Sequence, residues 1–145
     1  MGMSVEELIQ LLGLRPLPGE GGRYAETYRS ADVVPGEALP GRFGGQSRSL
    51  GTAIFYLLTG EADSFSALHR LRGDEVYHFY LGDAVEMLLL HPDGSNQSLR
   101  LGQDLAAGER VQVMVPAGVW QGSRLAPGGG YALLGTTMSP GFDHV

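Results

Sequence analysis

A chain of 145 residues is long enough for one domain with a real core, and 43% hydrophobic against 18% charged residues marks it as globular rather than disordered. A net charge of −6 argues against a surface for phosphate backbones, so no nucleic-acid partner is expected. With no cysteine, disulfide frameworks, thiolate chemistry and zinc fingers are excluded, and any metal would have to sit on His, Asp, Glu or amide groups.

The opening Met1-Gly2-Met3-Ser4 has no basic segment followed by an apolar one, as a signal peptide would. Glu6 stands where the myristoylation pattern needs Ser or Thr. The apolar stretches fall far short of a membrane span. The expectation is a soluble cytoplasmic protein with no membrane partner.

Residues 4–12 predict one short helix. Ser4 and Glu7 form a capping-box pattern, Val5, Leu8, Ile9 and Leu12 share a face, and Gly13 is a natural stop. The rest predicts strands, beginning with residues 24–28. Residues 31–51 are too long and irregular for an ordinary turn and predict a functional loop or an arm swapped with a partner. Strands over 52–58, 64–71, 75–81, 85–90 and 97–101 follow, with His91-Pro92-Asp93-Gly94 as a turn. Strands over 110–115, 119–125 and 131–137 complete the series, with Pro127-Gly128-Gly129-Gly130 as a hairpin connection. About nine short strands at roughly 8–12-residue spacing suggest a sandwich or barrel, and a double-sheet jelly roll suits them.

Alternation along these strands sorts the polar residues. His69 shares a face with Ala67 and Leu71. Glu75, Tyr77 and Phe79 share another, with His78 and Tyr80 turned the opposite way. Tyr24, Glu26 and Tyr28 fall together near the N-terminus. As residues alone, His69 is either a buried structural histidine or a base, and Glu26 and Tyr28 are either an edge strand or a pocket mouth. Arg42 and Arg48 are either solvent-exposed or placed to pair with a phosphate or carboxylate. Gly44-Gly45-Gln46-Ser47 lacks the ending of a phosphate-cradling loop.

Two segments carry a family resemblance. The first runs from His69 through Leu71, Asp74 and Glu75 to Gly82. The second is Gly108, then Pro116-Ala117-Gly118-Val119-Trp120-Gln121. Together they resemble the two motifs of the cupin superfamily, which carry His-x-His, Glu and Gly, then Gly and Pro-x-Gly-x-x-His. The stretch from Gly21 to Ser30, with Tyr24, Glu26, Thr27, Tyr28 and Arg29, is similar to the opening of a small cupin subfamily of unknown function. So are the blocks at residues 52–58, 74–80, 116–121 and 140–143.

The resemblance implies an all-β fold, a double-stranded β-helix (cupin jelly roll) with a short N-terminal helix, filling residues 1–145 as a single domain. It implies a pocket inside the barrel with His69 at its centre. Glu75, Tyr77, Phe79 and Gln121 would bind ligand, with Glu26, Tyr28 and Trp120 at the mouth. Leu71 and Gln121 replace two of the four metal-binding histidines and carboxylates of the family. No cofactor and no tightly bound transition metal are therefore expected, a site on His69, Glu75 and Gln121 being the alternative.

Members of this group resemble sugar-nucleotide epimerases and plant storage cupins in fold. The functional expectation is a small-molecule-binding protein with a carbohydrate-like or sugar-nucleotide ligand. One reading is an isomerase or epimerase with His69 as general base and Tyr28 as the opposing acid. The alternatives are a non-catalytic binding module and a metal-dependent cupin with a degraded site. A storage or purely structural role suits the fold but not polar residues inside a barrel. A homodimer is expected, because barrel edges need covering and the strand at 52–58 and the stretch at 31–51 offer material for it.

Overall fold

The structure is a computed structural model and describes residues 3–143. Helix α1 spans Val5–Leu12. Ser4 caps it: its Oγ accepts from the Glu7 amide at 3.1 Å while the Glu7 carboxylate accepts from the Ser4 amide at 3.0 Å. Gly13, with φ of 67°, ends it in the left-handed conformation that glycine adopts without strain.

Twelve strands follow in the order β1 (Arg15–Pro16), β2 (Arg23–Arg29), β3 (Val33–Val34), β4 (Arg48–Ser49), β5 (Thr52–Thr59) and β6 (Phe65–His69), then β7 (Glu75–Gly82), β8 (Val85–Leu90), β9 (Asn96–Leu101), β10 (Gln112–Val115), β11 (Trp120–Leu125) and β12 (Tyr131–Met138). They form a six-stranded sheet, β1-β2-β5-β12-β7-β10, and a four-stranded sheet, β6-β11-β8-β9, with a β3-β4 ribbon beside them. Two mainly antiparallel sheets facing each other over one core make the all-β jelly roll that the strand spacing predicts.

The core follows from period-two alternation. In β7, Glu75, Tyr77 and Phe79 are buried while Val76 and His78 are half-buried on the other face. In β8, Val85, Met87 and Leu89 point inward. Tyr56, Leu58, Leu101, Val113, Val115 and Leu134 complete the space between the sheets. A second cluster lies on the outer side of the larger sheet, where Leu8 of α1 and Leu14 cover Leu57 and Leu133.

Three expectations are corrected here. The 127–130 connection is not a hairpin, because β11 and β12 belong to different sheets and the turn carries the chain from one to the other. The Asp83 carboxylate steadies it by accepting from the Gly130 amide at 2.8 Å. Strand β5 is not free to cover a barrel edge, since β2 and β12 flank it on both sides. Residues 31–51 do not swing away as an arm. Phe43 is 1% exposed against its own chain, and the Gly141 amide donates to Ser49 O at 2.8 Å.

Among the described residues no helix is long and apolar enough to cross a membrane.

Candidate functional site

The polar residues inside the sandwich come from both sheets. Glu75 and Tyr77 project from β7 of the larger sheet, and His69 and Gln121 from β6 and β11 of the smaller one. His69 and Gln121 are register partners. Tyr77 reaches across the interior: its Oη–H donates to Gln121 Oε1 at 2.6 Å. Gln121 Nε2 in turn donates to Glu75 Oε1 at 3.1 Å. All three side chains are buried. Their hydrogen bonds are what makes that burial tolerable in an apolar surrounding.

Burial sets the electrostatics of this chain. It pushes the Glu75 carboxyl above its ordinary value, while the hydrogen bonds from the Thr136 hydroxyl and the Gln121 amide, and the His69 ring in its charged form, pull the other way. The Tyr77 phenol is likewise pushed well above its ordinary range by burial, and the Glu75 carboxylate adds to the rise. Tyr77 therefore stays a proton donor.

His69 sits where this chain meets a loop. Its Nδ1 lies 2.7 Å from Ala67 O. A carbonyl only accepts, so Nδ1 carries the proton and Nε2 of the neutral ring presents a lone pair. Nε2 faces Glu20 Oε2 at 3.9 Å. The Ala67 peptide organises both partners, because its N–H donates to Glu20 O at 2.7 Å. Glu20 is thus hung from the edge of β6 by a main-chain bond. Tyr56 pins the same loop by donating to Gly21 O at 2.7 Å. The glycine pair is required there. A Cβ at Gly21 would strike Phe65 O and one at Gly22 would strike the Tyr56 ring, and both residues have positive φ.

The structure brings His69, Glu75, Tyr77 and Gln121 together and separates them from the other candidates. Phe79 lies in the main core, 6% exposed. Trp120 is on the opposite face of β11 from Gln121, with the Arg70 guanidinium over its ring at 5.0 Å. Glu26 is held by Arg29 at 2.7 Å, and the same guanidinium donates to Phe142 O. Tyr28 does not share a face with Glu26 as alternation implied. The register of β2 against β5 shifts between them, so Tyr28 is paired with Ala53 and is 56% exposed. A bulge absorbs one residue and reverses every side chain beyond it.

Sequence reasoning missed Glu20 and Tyr56. Glu20 lies in an irregular loop without periodicity, and Tyr56 reads as one more apolar strand residue. The Gly21-Gly22 pair was the available signal, since it marks a place where another segment approaches closely. Arg48 is also corrected from the solvent-exposed alternative, being 5% exposed.

Residues 6–145 match the family described as the cupin superfamily (DUF985). The chain belongs to the cupin superfamily. It is 30% identical over 131 residues to the uncharacterized protein YML079W of Saccharomyces cerevisiae, covering 86% of this chain and 64% of that one. The chain thus spans 64% of the length of that curated relative. A hypothetical protein from Leishmania major superposes with a TM-score of 0.84 at 33% identity, over 98% of this cupin and 84% of its own chain. Protein SO0799 from Shewanella oneidensis gives 0.82 at 35% identity, over 98% and 81%.

The donors of this cupin do not fit a transition metal. Gln121 Oε1 already accepts from Tyr77, and Glu75 Oε1 already accepts from Gln121. Leu71 offers no donor atom, and among the described residues no three His, Cys, Asp or Glu side chains gather as a metal would need.

Proposed function

We propose that this cupin binds a small, polar, carbohydrate-like ligand against the inner end of β6, with proton transfer at His69 Nε2. The observation that carries this reading is the pair His69 Nε2 and Glu20 Oε2, 3.9 Å apart. In the neutral ring both atoms are acceptors, and the distance is too long for a hydrogen bond between them. What complements two facing acceptors is a ligand that carries acidic protons, such as vicinal hydroxyls or a carbon acid beside a carbonyl.

In the isomerase or epimerase reading, Nε2 takes the proton from the carbon alpha to the carbonyl. The C–H electron pair moves onto the carbonyl oxygen as an enolate. Return of a proton from solvent to the opposite face of that carbon gives the epimer, and return of the Nε2 proton to the neighbouring carbon, after a hydroxyl proton passes from one enediol oxygen to the other, gives the isomer. The exposed, outward-paired Tyr28 has no part in this step. The fold analogy to sugar epimerases supports the class of ligand by association only. A non-catalytic binding module uses the same acceptors without turnover.

The test is solvent-deuterium incorporation into aldoses, ketoses and their derivatives, followed by NMR. Exchange that disappears in His69→Gln supports catalysis. Saturable binding with no exchange in the wild type assigns a binding module. Neither binding nor exchange across that panel refutes the carbohydrate-like ligand.

We also infer a homodimer. Its support is the outer face of the larger sheet beyond α1, where Tyr80 and Met114 are 42% and 53% exposed beside Val111.

A further inference from the structure

We propose that the cleft next to Glu20 is an oxyanion site, built by Arg48, Arg70 and Arg72 to hold a phosphoryl group of a small ligand. It deepens the reading above and rests on it only for where the remainder of the ligand lies.

The chain has no lysine, so all ten of its basic residues are arginines, in a protein of net charge −6. Three of them line one cleft of about 340 Å³, together with Glu20, Leu71 and Asp143. The ion pairs among the described residues engage Arg29, Arg100, Arg124 and His69, and none of them uses these three. Three guanidiniums against two carboxylates leave the lining formally positive. Clustering like charges at one place in an acidic protein is unfavourable unless an anion offsets it.

Arg48 is the strongest single observation. It is 5% exposed, yet its Nε is buried with no acceptor. Its Nη1 makes one long bond, 3.3 Å, to Gly141 O. A buried guanidinium with an unmet N–H is costly, and an oxyanion is the group that satisfies several such donors at once. The Phe43 ring, 5.4 Å from the guanidinium carbon, covers one face of the group and holds it in place.

The other two arginines are also held in place. Arg70 lies over the Trp120 ring at 5.0 Å. The Arg72 carbonyl accepts from Arg42 Nε at 2.9 Å, and Arg72 Nη1 stands over Gly44, where a side chain would displace it. The cleft is at the small end of ligand-site volumes, which suits a phosphoryl group on a short stem rather than a dinucleotide. Glu20 belongs both to this lining and to the His69 pair, so a ligand anchored here extends towards Nε2.

Inorganic phosphate is the probe. Thermal unfolding is followed against phosphate concentration, with sodium chloride and sodium acetate at matched ionic strength. The expected result is a saturable rise in Tm with phosphate that chloride and acetate do not reproduce. Arg48→Gln and the double variant Arg70→Gln/Arg72→Gln should each weaken phosphate at least tenfold, while Arg124→Gln binds as wild type. The double variant alters exposed side chains, so it decides the matter if Arg48→Gln fails to fold. An equal response to chloride, saturation by acetate alone, or undiminished phosphate binding in the double variant overturns the proposal. His69→Gln separates the two readings. It should retain phosphate binding, and loss of deuterium exchange in that variant bears only on the proton chemistry.

Discussion

At the scale of single residues, the buried chain Tyr77–Gln121–Glu75 makes the sharpest demands. Burial favours the neutral Glu75 carboxyl, so the native state keeps a proton that the unfolded chain, at the ordinary value of 4.5, has already lost. The native state then binds more protons than the unfolded one, and stability falls as pH rises above about 4.5. Glu75→Gln keeps an acceptor for Gln121 and removes this slope. Its Tm should exceed that of wild type at neutral pH, and its curve should be flatter from acid to neutral pH in calorimetry. Tyr77→Phe leaves Gln121 Oε1 buried without its donor and should cost roughly 1–3 kcal/mol in denaturant unfolding. His69, Glu75 and Gln121 were legible because two spaced motifs carry them, and Tyr77 because it alternates with Glu75. Trp120 was misplaced by the same rule that placed Gln121, since adjacent residues of a strand face opposite ways. Glu20 was not legible at all: its position beside His69 comes from a main-chain bond to Ala67, which side-chain chemistry does not announce.

At the scale of elements, α1 is held by its own cap and by the apolar patch it covers. Leu8→Ala opens a hole between the helix and Leu57 and Leu133, and about 2–4 kcal/mol of stability should be lost. Ser4→Ala removes an acceptor for the Glu7 amide and should cost about 1 kcal/mol. Both are read from chemical denaturation with an unchanged m-value. The helix and the strands could be read because each repeats a simple period. What period does not encode is which sheet a strand joins. That is why 127–130 reads as a hairpin and β5 as a strand free to cover an edge. Bulges are equally silent, as the shift between Glu26 and Tyr28 and another in β6 opposite β11 show. Each is one extra residue whose signature is confined to backbone hydrogen bonds.

At the scale of the whole molecule, the outer face of the larger sheet beyond α1 is where a second copy should sit. Light scattering at micromolar concentration should give twice the 15.4 kDa of one chain, and Met114→Glu should return it to a monomer. A wild type that scatters as 15.4 kDa removes the dimer. The interior carries a consequence of another kind. Tyr77 and Gln121 stand on different sheets and share one short bond, which Gln121 passes on to Glu75. Parting the sheets enough to admit a first water strands several polar groups before that water can serve them all. Half-opened forms are thereby penalised more than either end state. The sandwich should melt in one step, without a swollen intermediate, and amides of β7 and β11 should exchange with deuterium at a common rate set by global unfolding.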